Sequence, residues 1–169
     1  MGASEYDPAF LSAVKRLLTD EGGYADRTRD AGGATRFGIS QREYPQLDIK
    51  NLTREDAIEI YWRDWWCKFR YGALPSPLAS KMLDLAVNIG PSETARCLQR
   101  ALRACGAAIA ENGILGPLTR ASATRANQAA LIAALRSEAA GYYRLVAASR
   151  GESAAGKDFL AGWLNRAYE

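Results

Sequence analysis

The chain contains no histidine. That absence excludes a Ser-His-Asp triad, a Cys-His pair, imidazole-bound zinc and a histidine general base. Acid–base chemistry near neutral pH must then come from carboxylates, Lys, Tyr or Cys with shifted pKa values. Cysteine is scarce: Cys67, Cys97 and Cys105 are an odd number with no CxxC spacing, which argues against a disulfide scaffold or a cysteine metal site. Cys97 and Cys105 fall in one apolar helical stripe and read as buried free thiols. No apolar run approaches the roughly 20 residues of a transmembrane helix. The opening residues, MGASEYDPAF, have neither the basic nor the apolar region of a Sec-type signal peptide. The expectation is a product made in the cytoplasm without membrane insertion, wherever it finally acts. Strong charge is missing too. Residues 1–100 balance 14 basic against 14 acidic groups, whereas 101–150 carry six Arg against two Glu. That local excess suits an anionic partner no better than it suits ordinary solvated helix faces, and no nucleic-acid motif accompanies it.

What is present is an ordinary globular composition of 169 residues, 48% hydrophobic and 24% charged. It is enough for one domain, or one with a small appendage. Asp7-Pro8 is a helix start, with Asp as cap and Pro where its missing N–H costs nothing. Phe10, Leu11, Val14, Leu17 and Leu18 follow at helical spacing, and Gly22-Gly23 ends the run. Residues 22–52 are rich in Gly, Asp and Arg. They hold one alternating stretch, Thr35 to Ile39, that reads as a brief strand, and a Ser40/Glu43 pair that can cap a short turn. Thr53 and Asp56 open a helix whose Ile58, Tyr61, Trp62, Trp65, Trp66 and Phe69 make an aromatic stripe. Ser76-Pro77 opens another that stops at Gly90-Pro91, and Ser92 caps the next. Residues 101–150 include sixteen alanines, strong helix formers, with a turn at Gly113 to Pro117. A long helix marked by Leu131, Leu135, Ala139, Tyr142 and Val146 and a terminal one with Phe159, Leu160, Trp163 and Leu164 complete the chain. There is no internal repeat and no long linker. The fold class is mainly α, with a short loop and β insertion after the first helix.

Glu21 stands out. It follows Val14, Leu17 and Leu18 by seven, four and three residues, on the apolar face of its helix. It also sits at the helix C-terminus, where the macrodipole disfavours negative charge. Desolvation and dipole both favour the protonated carboxyl that a general acid requires. Gly22-Gly23 leave room for a large substrate. The plain alternative is a Glu turned to solvent at a frayed helix end. Asp26, Asp30 and Thr35 follow in a polar loop, where carboxylates stay ionised, although Asp and Thr in such turns often just bond the local backbone. One protonated and one ionised carboxyl are the minimum for glycoside hydrolysis.

Glu21-Gly22-Gly23-Tyr24 followed by Asp30-Ala31-Gly32-Gly33-Ala34-Thr35-Arg36-Phe37-Gly38-Ile39 resembles glycoside hydrolase family 108, lysozyme-like N-acetylmuramidases that include many endolysins. So do Asp84-Leu85-Ala86-Val87-Asn88-Ile89-Gly90-Pro91 with Ala95, Leu98-Gln99 and Ala101-Leu102. Asn112-Gly113-Ile114-Leu115-Gly116-Pro117-Leu118-Thr119 resembles the start of the family's C-terminal peptidoglycan-binding module. The resemblance implies a lysozyme-like catalytic region over 1–91 and a helical module over 92–169. It also implies cleavage of the β-1,4 bond between N-acetylmuramic acid and N-acetylglucosamine, with Glu21 as the catalytic glutamate. By analogy with phage lysozymes, Asp30 assisted by Thr35 orients water or steadies the oxocarbenium ion, with Asp26 competing for that place. The chain departs from the family pattern at Arg27-Thr28-Arg29-Asp30-Ala31, where Asp-Pro-Ala-Asp-Pro is expected, and at Glu111-Asn112-Gly113, where Asp-Gly is expected.

For substrate contact the candidates are Tyr24, Trp66, Asp84 and Asn88. The tryptophans Trp62, Trp65 and Trp66 read first as core, with Trp66 the one to stack on a sugar if any does. Asp84 and Asn88 share a helix face and suit saccharide hydroxyls or acetamides as well as an interhelical polar pair. No metal or cofactor is expected. The expected partner is the peptidoglycan glycan strand, met by a monomeric endolysin that reaches the wall through a holin or another release route. The rival activities are a lytic transglycosylase and a non-catalytic wall-binding or phage structural protein.

Overall fold

The computed structural model describes residues 6–20, 24–26, 34–149 and 154–168. The chain divides into two compact units, Met1–Val87 and Asn88–Glu169.

In the first unit, helix α1 spans Pro8–Asp20. Asp7 starts it as its composition predicts, its Oδ1 accepting from the Ala9 N–H at 2.8 Å and its carbonyl from Leu11. Phe10, Ala13, Val14, Leu17 and Leu18 are all buried, which is the i, i+3, i+4 face of an amphipathic helix. A three-stranded antiparallel sheet follows in the order β1 (Tyr24–Asp26), β2 (Ala34–Arg36), β3 (Ile39–Ser40). Tyr24 pairs with Arg36, Ala25 with Thr35 and Asp26 with Ala34, while Thr35 also faces Ser40.

The single strand expected over Thr35 to Ile39 is therefore corrected to a hairpin. Phe37 (φ 52°) and Gly38 (φ 76°) are both left-handed, as a two-residue type I′ turn demands. A phenylalanine at positive φ is uncommon, and here its carbonyl is held by the Tyr61 hydroxyl at 2.8 Å. The Ser40/Glu43 pair forms: the Glu43 N–H donates to Ser40 Oγ at 3.2 Å. The two N–H groups of the Gln41 amide are then shared among the carbonyls of Tyr44, Pro45 and Leu47, tying down the polar loop.

Helix α2 (Arg54–Ile60) has the capping box expected of Thr53 and Asp56, with both reciprocal bonds made. It continues into a π-helical segment, Tyr61–Cys67. Its wider i→i+5 winding re-aims the aromatics. Trp62 and Trp66 both meet Phe10 of α1, at 5.0 and 5.5 Å between ring centres, while Tyr61, Trp65 and Phe69 form a second row. Helix α3 (Ser76–Ile89) closes the unit on Leu78, Met82, Leu83, Leu85 and Ala86, all inaccessible to solvent.

In the second unit, α4 (Pro91–Ala104) starts from Gly90, whose φ of 83° suits glycine, with Pro91 in the first turn. Gly90, not Ser92, is the N-cap, because the chain must turn left-handed to leave α3, a requirement serine meets poorly. Cys97 is buried in α4, but Cys105 lies just past the helix end and is exposed, which corrects its expected burial. Helix α5 (Pro117–Arg125) is short, and α6 (Gln128–Ser149) packs on α4 and on α7 (Ala154–Tyr168). The alanines matter here: Ala139 and Ala140 are fully buried, and such small side chains let neighbouring helices approach closely. Tyr143 of α6 stacks on Trp163 of α7 at 5.7 Å. Among the described residues no helix is long and apolar enough to cross a membrane.

Candidate active site and wall-binding module

In the chain Glu21 falls between α1 and β1, and Asp30 between β1 and β2. The apolar face of α1 stays in the core as far as Leu18, the helix ends at Asp20, and β1 begins at Tyr24. Glu21 and Asp30 lie outside the described residues, as do the side chains of Tyr24 and Asp26. Thr35 is half-buried at the centre of the sheet, its backbone between Ala25 and Ser40.

Next to Thr35 in the same motif stands Arg36, a further candidate that sequence reasoning missed. The Arg36 guanidinium donates from Nη1 to the Lys50 carbonyl and lies over the Phe37 ring, 5.4 Å from its centre. Its Nε is buried without a partner. Arg36 thus brings a fixed positive charge to the strand that pairs with Tyr24.

The structure corrects the expectation for Trp66. It is only 3% exposed, packed against Phe10 and Tyr71. The Gly72 backbone covers its indole nitrogen so closely that an added Cβ would come within 2.9 Å of it. Its ring has no free face for a sugar, because the π-helical winding turns it inward while leaving Trp62 and Trp65 partly exposed. Asp84 is half-buried and pairs with Lys81 at 3.3 Å; Asn88 is exposed one turn further on.

Beyond the sheet, an open hollow of about 400 Å³ is lined by Tyr44, Asp48, Asn51, Asp56, Glu59 and Arg63 over Leu52 and Ile60. Asp64 lies beside it, accepting from both Arg63 (2.7 and 2.9 Å) and the Tyr44 hydroxyl (3.0 Å). The Arg63 hydrogen bonds hold the Asp64 carboxyl below its usual range against the opposing effect of burial, with Tyr44 adding to the lowering. Burial first, and the Asp64 carboxylate second, push the Tyr44 phenol up to about 12. An acceptor-rich rim over an apolar floor suits hydroxyl-bearing rings. Among the described residues no three His, Cys, Asp or Glu side chains gather to hold a metal ion.

In the second unit the most ordered polar feature is Gln99, fully buried on α4. The two N–H groups of its amide are shared among Asn112 Oδ1 (2.8 Å), the Ile114 carbonyl (3.0 Å) and, more distant, Thr119 Oγ1 (3.3 Å). Its oxygen accepts from the backbone N–H groups of Asn112 (3.0 Å) and Gly113 (2.9 Å). One side chain thereby folds the 112–119 loop around itself. The departure from Asp-Gly is absorbed: Asn112 accepts the Gln99 and Ile114 N–H bonds that an aspartate would accept. Glu111 pairs with Arg100 at 2.5 Å, which holds its carboxyl below the ordinary value.

Residues 14–90 match the family model for Glycosyl hydrolase 108, and residues 93–168 match that for a Predicted Peptidoglycan domain. Of solved structures, one described as the structure of Brucella abortus SagA superimposes with a TM-score of 0.73 at 24% identity. The match covers 94% of this chain and 93% of that one, a likeness of fold. Comparison with curated protein sequences returns no match.

Proposed function

Because the chain belongs to the glycosyl hydrolase 108 family, with a predicted peptidoglycan domain behind its hydrolase part, we propose that it is an N-acetylmuramidase with Glu21 as general acid. The family matches support a glycoside hydrolase directed at peptidoglycan and acting at the cell wall. The finer reading is supported by one observation above others: a helix with a fully buried apolar face ends one residue before Glu21, and a three-stranded sheet begins three residues after it. In the sequence Glu21 thus follows directly on a helix whose apolar face is buried, which supports the neutral carboxyl proposed for it.

In the proposed reaction, protonated Glu21 gives its proton to the oxygen between N-acetylmuramic acid and N-acetylglucosamine as the C1–O bond breaks. Positive charge develops on the muramic ring, and a water molecule adds at C1 and loses a proton. Asp30, with Thr35 beside it, orients that water or steadies the charge; Asp26 is the alternative carboxylate. Tyr24 contacts the glycan next to Glu21, and Asp84 and Asn88 are available for its hydroxyls or acetamides. The biological setting we propose is that of a monomeric endolysin released to the wall through a holin.

Digestion of purified sacculi followed by mass spectrometry tests the reaction. A muramidase leaves reducing N-acetylmuramic ends. Products lighter by one water, with anhydromuramic ends, would make the protein a lytic transglycosylase instead. Intact sacculi would leave only wall binding.

A further inference from the structure

The buried amide of Gln99 holds in one shape a loop whose outer side is apolar. Ile114 is 63% exposed and Leu118 is 80% exposed, two of the few large aliphatic side chains that the described residues leave to solvent. They stand four residues apart, at the loop and in the first turn of α5. The Ile114 carbonyl is fixed by Gln99, and Gly113 beside it takes φ 73° in a space where a Cβ would lie 2.5 Å from Ser92 Oγ. Exposed aliphatics on a mobile loop would lose binding energy to ordering, but here the backbone is already set.

Along the loop and α5 the charge has one sign. From residue 112 to residue 137 there is no Asp or Glu, while Arg120, Arg125 and Arg136 lie in that stretch. Arg120 is anchored to the same loop by its bond to the Leu115 carbonyl. Arg125 is exposed and stands seven residues after Leu118, on the same face of α5. The arginines of α4 differ, since Arg96 pairs with Glu93 and Arg100 with Glu111.

We propose that Ile114 and Leu118, flanked by Arg120 and Arg125, form the surface on which this domain binds the stem peptide of peptidoglycan. A stem peptide presents small methyl groups beside free carboxylates, the complement of two exposed aliphatics edged by uncompensated guanidinium groups. In the intact wall the glycan itself offers no such pair, because each substituted lactyl carboxyl is taken up in the amide to the stem peptide. The inference rests on the reading of residues 93–168 as a peptidoglycan domain and adds where, and to which part of the polymer, it binds.

The test is cosedimentation of the full-length chain with purified sacculi, using wild type and the double variant Ile114→Ser/Leu118→Asp. The glycan is also prepared with its stem peptides removed by an amidase and the lactyl carboxyls so freed blocked as amides. Both substituted side chains are mostly in solvent, so the thermal midpoint is expected to hold, and Arg125→Glu provides an independent variant outside the Gln99 loop. The expected result is binding of wild type to intact sacculi, weakened about tenfold in either variant, with poor binding of stripped glycan by all three. Equal binding by wild type and variants, or equal binding to intact and stripped glycan, overturns the assignment while leaving the domain a wall binder. Wild type that ignores sacculi altogether overturns the domain reading as well. Loss of binding to anionic phospholipid vesicles, with sacculus binding unchanged, would reassign the surface to a membrane.

Discussion

Replacing Gln99 by leucine keeps the volume and apolar surroundings of the α4 site and removes only the amide. The oxygen of the wild-type side chain accepts two hydrogen bonds, and its two N–H groups are shared among three acceptors. Without it the Asn112 and Gly113 N–H groups lose their acceptor, and the Ile114 carbonyl and Thr119 hydroxyl lose a donor. A buried polar group left unsatisfied costs about 1–3 kcal/mol. Asn112 and Ile114 lie at the surface, where water restores part of the loss, whereas Thr119 is buried. The Ile114 carbonyl keeps the Gly116 N–H and the Thr119 hydroxyl as donors, so the loss falls chiefly on the two N–H groups, about 3 kcal/mol in all. For a chain of this size that lowers the thermal midpoint by roughly 6–12 °C. Circular dichroism melts of Gln99→Leu and wild type measure the shift, and amide hydrogen exchange at residues 112 and 113 locates it. A loss below about 1 kcal/mol, or protected amides at 112 and 113 in the variant, would refute the view that Gln99 organises the loop.

Three further outcomes follow from local geometry. Gly113→Ala should cost about 1–2 kcal/mol for its left-handed backbone alone and more from the approach of the new Cβ to Ser92 Oγ. Adding Ser92→Gly should recover the steric part only, as urea midpoints of the two variants would show. The Tyr44 phenol ionises near 10 when unfolded but near 12 when folded, so between those values the unfolded chain binds fewer protons and stability falls as pH rises. Urea midpoints taken from pH 9 to pH 12 should fall above 10, and fall less in Tyr44→Phe. Cys67 and Cys105 are exposed, whereas Cys97 is buried with its thiol pushed up to about 11 by that burial. Native protein should therefore yield two thiols to a disulfide reagent and the third only on unfolding; three in the native state would contradict the α4 packing.

How much of this was legible from sequence depends on whether the signal was local. The Asp7 start, the Thr53/Asp56 box and the buried face of α1 are written in a few adjacent residues, and each stands as expected. The hairpin was hidden because its turn is Phe37-Gly38, without the Asn-Gly pair that normally announces type I′. Trp66 was misplaced because an α-helical wheel does not apply inside a π-helical segment, and nothing in Tyr61–Cys67 marks that change of winding. Cys105 fits the apolar stripe on paper, but the helix stops at Ala104. Gln99 did carry a signal, a lone amide inside the stripe of Leu98, Ala101 and Leu102. Its role needed a partner loop thirteen residues away, which periodicity does not supply. Glu21 and Asp30 lie outside the described residues and rest on the motif alone.

The central claim is that Glu21 supplies the proton that breaks the glycosidic bond. Its most direct test is the rate at which Glu21→Gln releases reducing ends from purified peptidoglycan, compared with wild type at equal thermal stability and equal binding to sacculi. Loss of a positioned general acid predicts a fall of about 10²–10⁴-fold. A variant that cleaves as fast as wild type would contradict the account.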